Sequence, residues 1–221
     1  MKQIQDNYDA HAVEESMIAY WDDHDIVNKY LAKEGHEWYW CDGPPYVTGS
    51  IHLGTAWNKM IKDTVLRYKT MRGYAPTRQP GFDMHGLPIE VKVEETLNLE
   101  SKKDIENIIG IDTFITKCKE FAIDNMNKMV TQFQNIGCWM EWDRPYMPIN
   151  DAYIESGWYT LKKAWEKGLF FRDKRVTHWC PRCETALAEH EVRGEYRMVE
   201  DPSIYVKFKL RDRDDEYLLV W

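Results

Sequence analysis

Apolar residues recur at helical spacing along much of this chain. Val13, Met17, Tyr20 or Trp21, and Val27 mark an amphipathic helix over residues 12–31, with acids between them. Trp57, Met60, Ile61, Val65, Tyr68 and Met71 form a second stripe, which predicts a helix from about Leu53 to Met71 capped by Gly73. The longest helical stretch is 101–136, with Gly110 as its break and Gly137 as its stop. A further helix over 151–167 runs through Tyr153, Trp158, Leu161 and Trp165 and ends at Gly168. Between the helices the pattern changes. The aromatic run HEWYWC (36–41) reads as a short strand, 74–82 as extended chain, and 169–180 as strand-like. SIYVKFKL and EYLLVW read as two strands joined by the charged turn RDRDDE. The Gly- and Pro-bearing stretches 42–50, 83–90 and 138–150 read as loops. The order fits an α/β domain, with a more β-rich element beginning after about residue 170. The apolar ending YLLVW predicts that more chain follows it.

Composition narrows this picture. The 221 residues carry a formal charge of −8, with 43% hydrophobic and 30% charged positions, which is a globular balance. The acidic excess lies early: residues 1–60 hold four basic and ten acidic side chains. A simple nonspecific nucleic-acid binder would be basic, so any nucleic acid must be gripped by something other than bulk charge. No apolar run is long enough for a membrane helix. The first residues show neither an apolar signal core nor a small-residue cleavage site, so the expected location is the cytoplasm. Five scattered cysteines do not make a disulfide framework. Cys41, Cys118 and Cys138 read as buried and structural.

The loop running from Asp42 through Pro44, Pro45 and Tyr46 to His52 and Thr55 lies between a strand and a helix. An open α/β sheet binds ligands at that place, and the N–H groups of the helix start favour an anion. Gly54 removes a side chain on the first turn, so a flat ring can approach the backbone. His52 can donate toward phosphate oxygens. Four residues alone weigh little, because short motifs recur by chance. A second loop, GFDMHGLPIE, supplies Asp83 and, thirty-three residues after His52, His85. Asp83 can pair with a ligand ammonium, although an isolated Asp in such a turn is more often a cap.

These two segments, together with GCWMEWDRPYMPIN and THWCPRCETALAEHEV, strongly resemble the class I aminoacyl-tRNA synthetases for branched aliphatic amino acids. Within them the chain is most similar to the isoleucyl family of archaeal type, over almost its whole length. His52-Leu53-Gly54-Thr55 stands where the family has His-Ile-Gly-His, and Phe82 stands where it usually has Trp. The resemblance implies the first half of a Rossmann-type catalytic domain over 1–170, a zinc-knuckle connector over 171–199, and the start of an editing domain over 200–221. It implies ATP, Mg²⁺ and isoleucine as ligands, tRNA(Ile) as partner, and a monomer at full length. ATP would meet Pro45, His52, Gly54 and Thr55, with His52 the catalytic group. Isoleucine would meet Pro44, Asp83 and His85. The family's lysine loop, second Rossmann half and anticodon-binding helices have no counterpart here, so the 221 residues alone are expected to be weak or inactive.

Cys180-Pro181-Arg182-Cys183 is a knuckle able to give two thiolates to a tetrahedral zinc, which needs four ligands. His178 and His190 lie near it in sequence, but at no finger spacing. By the resemblance, the knuckle is half of a zinc ribbon. Lys59 and Lys62 read as solvated helix positions. Trp139 and Trp142 read as packing beneath the active site, with a tRNA platform as the sharper alternative. Three rival functions remain: a valyl or leucyl synthetase fragment, a synthetase-like binding module without catalysis, and a zinc-ribbon interaction domain.

Overall fold

The computed structural model describes residues 8–194 and 197–221. The chain divides into two compact units, Met1–Lys174 and Arg175–Trp221.

The first unit begins with helices α1 (Ala10–Asp23) and α2 (Ile26–Leu31). One helix was expected over 12–31. The break falls at Asp25, whose backbone is left-handed (φ 52°), a conformation that Asp tolerates better than most residues. Strand β1 (His36–Trp38) pairs in parallel with β2 (Tyr74–Pro76), and helix α3 (Leu53–Met71) connects them. This βαβ unit positions everything that follows. Its ladder frays but continues: Tyr46 bridges Asp83 and Gly81 bridges Tyr146, both in parallel. Three strand paths therefore lie side by side, with the 74–83 path in the middle.

Helix α4 (Leu87–Leu97) begins inside the segment expected to be loop, with Pro88 in its first turn, where a missing N–H costs nothing. The short α5 (Lys102–Asp104) runs into a π-helical turn, Ile105–Ile109. Gly110 (φ 87°) then breaks the helix as expected, and α6 (Ile111–Asn135) follows. Helix α7 (Asp151–Glu166) has no buried residue, and Trp158 and Trp165 of its apolar stripe stand exposed. The core joins Val47, Phe82, Met84, Ile89, Phe114 and Phe133, drawn from both loops, α4 and α6. At 0% exposure, Val47 and Phe82 anchor the two candidate loops directly in that core.

In the second unit, β3 (His178–Cys180) and β4 (Thr185–Leu187) form an antiparallel pair around the cysteine knuckle. β5 (Val206–Lys209) and β6 (Tyr217–Val220) form the hairpin expected near the end of the chain. Within the strand-like stretch 169–180, only the last three residues are strand.

Candidate functional site

His52 is the N-cap of α3. Its Nδ1 accepts the Thr55 backbone N–H at 3.2 Å. A backbone amide can only donate, so Nδ1 holds a lone pair and the ring's proton sits on Nε2. That Nε2–H lies 3.0 Å from Thr55 Oγ1 and donates to it. Thr55 thus fixes both the rotamer and the tautomer of His52. Gly54 was expected to admit a flat ligand ring. A Cβ there would stand 3.1 Å from the imidazole, so the missing side chain makes room first for His52 itself. Upstream, Gln132 of α6 accepts the Ile51 N–H at 2.9 Å and ties the loop down. Nothing in the local sequence pattern announced Gln132.

The second loop lies against the first. Asp83 N–H donates to Pro45 O at 2.8 Å, and Val47 N–H returns a bond to Asp83 O at 3.2 Å. Pro44 packs toward Gly81, where an added Cβ would come within 3.2 Å of the Pro44 ring. Pro44 and Gly81 also share the wall of a cavity of about 300 Å³ with Tyr39, Trp40, Asp42 and Tyr146. The structure therefore brings Pro44, Pro45 and Asp83 together beyond the carboxyl ends of β1 and β2, with His52 capping and Gly54 and Thr55 opening the helix that follows the same loop. His85 opens instead onto an apolar cavity of about 430 Å³, lined by Met84, Ile89, Phe114, Cys118 and Ile149.

Two lysines correct the sequence reading. Lys59 is 1% exposed rather than solvated. Its ammonium donates to Asp42 and lies 5.1 Å from the centre of the Phe133 ring. Burial pushes the Lys59 ammonium below its ordinary range, and the Asp42 carboxylate beside it opposes that shift. Lys62 donates to the other Asp42 oxygen at 2.7 Å and to Gly43 O at 3.2 Å.

Trp139 packs against the N-terminal helices. It meets Trp21 edge-on at 5.0 Å and Tyr30 at 5.4 Å, and the Arg67 guanidinium lies 3.5 Å over its ring. Trp142 stacks on Phe133 at 5.6 Å. Cys138 is buried, and Cys118 is half-buried. Burial pushes their thiols up, to about 12 and about 11 respectively. Cys41 is exposed, against expectation.

The comparisons with known proteins bear on this arrangement. The family model described as "tRNA synthetases class I (I, L, M and V)" matches residues 16–211. The chain belongs to this family. It is 60% identical over 216 residues to an isoleucine–tRNA ligase of Pyrococcus abyssi and 53% identical over 226 residues to one of Methanococcus aeolicus. These matches cover 97% and 100% of this chain but 20% and 22% of the relatives, so it spans about a fifth of their length. Among solved structures it is similar to the LeuRS chain in a ternary complex, LeuRS–tRNA–LeuAMS, from Agrobacterium radiobacter K84. There the TM-score is 0.63 at 22% identity, covering 84% of this chain and 21% of that one. That likeness shows a shared fold.

In the second unit, Cys183 N–H donates to Cys180 Sγ at 3.4 Å. This bond holds the Cys180 thiol below its ordinary range, while burial raises that of Cys183. Among the described residues no group of three or more His, Cys, Asp or Glu side chains is placed to hold a metal. Two thiols by themselves are too few for a tetrahedral zinc, which needs four ligands. The side chain of His190, named above as near the knuckle, lies outside the described residues.

Proposed function

We propose that this chain is the part of an isoleucine–tRNA ligase that binds ATP and isoleucine and forms isoleucyl-adenylate. The observation carrying the proposal is the paired loops: Asp83 is held beside Pro45 on the same loop that leads into His52 and α3. The 53–60% identity to isoleucine–tRNA ligases favours isoleucine over valine or leucine and favours catalysis over a binding module.

In this reading the isoleucine carboxylate attacks the α-phosphorus of ATP and pyrophosphate leaves. No protein nucleophile is required, so the site acts by positioning and by stabilising phosphate charge. Asp83 receives the substrate ammonium, and Pro44 shapes the side-chain pocket beside Gly81. His52 turns its Nε2–H from Thr55 Oγ1 to a phosphate oxygen, and the α3 amides face the same anion. Pro45, Gly54 and Thr55 border the nucleotide. His85, on the apolar cavity, borders the amino acid more loosely. Mg²⁺ is carried mainly by the phosphates, which is its usual mode and needs no dedicated cage. tRNA(Ile) receives the isoleucyl group. Cys180 and Cys183 would supply two of the four thiolates of a structural zinc ribbon. The organisation 1–170, 171–199 and 200–221, a cytoplasmic location and a full-length monomer belong to the same proposal.

The test uses a chimera carrying these 221 residues in place of the matching fifth of the Pyrococcus abyssi enzyme. Calorimetry with a nonhydrolysable isoleucyl-adenylate analogue should show a preference over the valyl analogue of about 10- to 200-fold, the range one methylene supports; this enzyme family is itself the standard example. His52→Ala and Asp83→Ala should both weaken binding. Equal affinity for isoleucyl and leucyl analogues would overturn the proposal.

A further inference from the structure

Asp42 precedes the signature loop and plays no part in the chemistry just described, yet it is among the most completely enclosed carboxylates described. Its side chain is 2% exposed. Oδ2 accepts the Lys59 ammonium and the Gly81 N–H, the latter at 3.0 Å, and Oδ1 accepts the Lys62 ammonium. The Lys59 side chain is 2% exposed and that of Lys62 20%. One carboxylate therefore joins three segments: the start of the His52 loop, the middle of α3, and the start of the Asp83 loop. Each joint has a separate direction, because the two lysines take different oxygens while a backbone amide shares one of them.

Such a cluster is a costly way to gain stability. Desolvating the charges costs several kcal/mol per ion, and apolar packing of similar volume often serves as well. What the ionic arrangement adds is direction. The backbone ladder between Pro45 and Asp83 sets which residues pair. Val47 and Phe82 seat both loops in the core, and Gln132 holds Ile51 to α6. Asp42 adds the tie to the middle of α3, through Lys59 and Lys62.

We infer that Asp42 is a positioning residue that holds the His52 loop and the Asp83 loop in one fixed placement on α3. This rests on the ligase reading above for its kinetic consequence, but not for its structural one. An error of about 1 Å between reacting groups costs on the order of 100-fold in rate, which gives the anchor its purpose.

Two measurements test it. Hydrogen exchange on the 221-residue chain needs no activity. Asp42→Asn should speed exchange in both loop segments, 42–52 and 79–86, while the middle of α6 stays protected. Loosening of one loop alone, or of neither, would overturn the inference. The second measurement is isoleucine-dependent ATP–pyrophosphate exchange by the chimera. Asp42→Asn should lower kcat by about 10- to 100-fold and raise KM for isoleucine, the pattern of misplaced reactants. Lys62→Met, which removes only the partly exposed arm, should show the same pattern more weakly and covers the case in which Asp42→Asn fails to fold. Asp63→Asn, a buried carboxylate on the same helix that touches neither loop, should lower melting temperature without changing kcat or KM. Asp42 and Lys62 variants that behave like Asp63→Asn would reduce Asp42 to a structural role. A chimera with no isoleucine-dependent exchange would count against the ligase reading, and hydrogen exchange would then decide the anchor alone.

Discussion

Asp63 ties helix α3 to the segment that follows α6. It is 7% exposed and lies on α3 one turn before Arg67. One oxygen accepts Arg67 Nε at 2.6 Å, and the other accepts the Trp139 backbone N–H at 2.9 Å. Arg67 also donates to Gly137 O and covers the Trp139 ring. Asp63→Ala leaves the Trp139 N–H without its acceptor, worth about 1–3 kcal/mol. The lost ion pair adds at most about 1 kcal/mol, because the Arg67 side chain is 28% exposed and water screens it. A total of about 1–4 kcal/mol corresponds to a drop of about 2–16 °C for a unit of this size. Asp63→Asn keeps an acceptor for Trp139 but turns an amide toward Arg67, so its cost should be about half of that. Urea unfolding followed by far-UV circular dichroism is the assay, since every α-helix described lies in the first unit. The slope m should stay constant while the midpoint falls. Both variants unfolding within about 0.5 kcal/mol of the parent, the scale of an ordinary surface change, would refute the reasoning.

Three further outcomes follow from the same geometry. Gly35→Ala should cost about 2–3 kcal/mol in urea unfolding, because its Cβ would run into Gly73 O, a backbone atom in the β1–β2 pairing region that cannot step aside. Gly54→Ala should change stability by less than about 1 kcal/mol, as lost capping by the displaced His52 ring offsets better helix propensity, yet it should weaken the adenylate analogue in calorimetry. Cys138 has its folded thiol raised by burial to about 12 from an ordinary 9.0. Its contribution is therefore complete below pH 9 and is lost as pH rises toward 12, so Cys138→Ala should flatten the alkaline fall in stability seen in pH-dependent unfolding.

The parts of the fold legible in the sequence share one physical cause. Gly73, Gly110, Gly137 and Gly168 all take positive φ, where other L-residues are strained, so each marks a helix boundary locally. Helix α3 was equally plain from its own stripe. Asp25 breaks the first helix by the same backbone geometry, but an Asp within an acidic run carries no such signal. Helix α4 was missed because Gly86 and Pro88 read as loop, while Pro in a first turn is also a normal helix start. The site divides in the same way. His52 and Asp83 were visible as motif residues, whereas Lys59 was read as solvated because periodicity names a face and not what that face meets. Its partner Asp42 lies seventeen residues upstream. Gln132 is eighty-one residues from Ile51, and only the tertiary fold brings them together.

The central claim is that these loops activate isoleucine. The most direct measurement is ATP–pyrophosphate exchange by the chimera with isoleucine, valine or leucine, repeated with His52→Ala. The account predicts exchange that prefers isoleucine over valine by about 10- to 200-fold and falls sharply in the variant. Exchange driven equally by leucine, or unchanged without the imidazole, would contradict it.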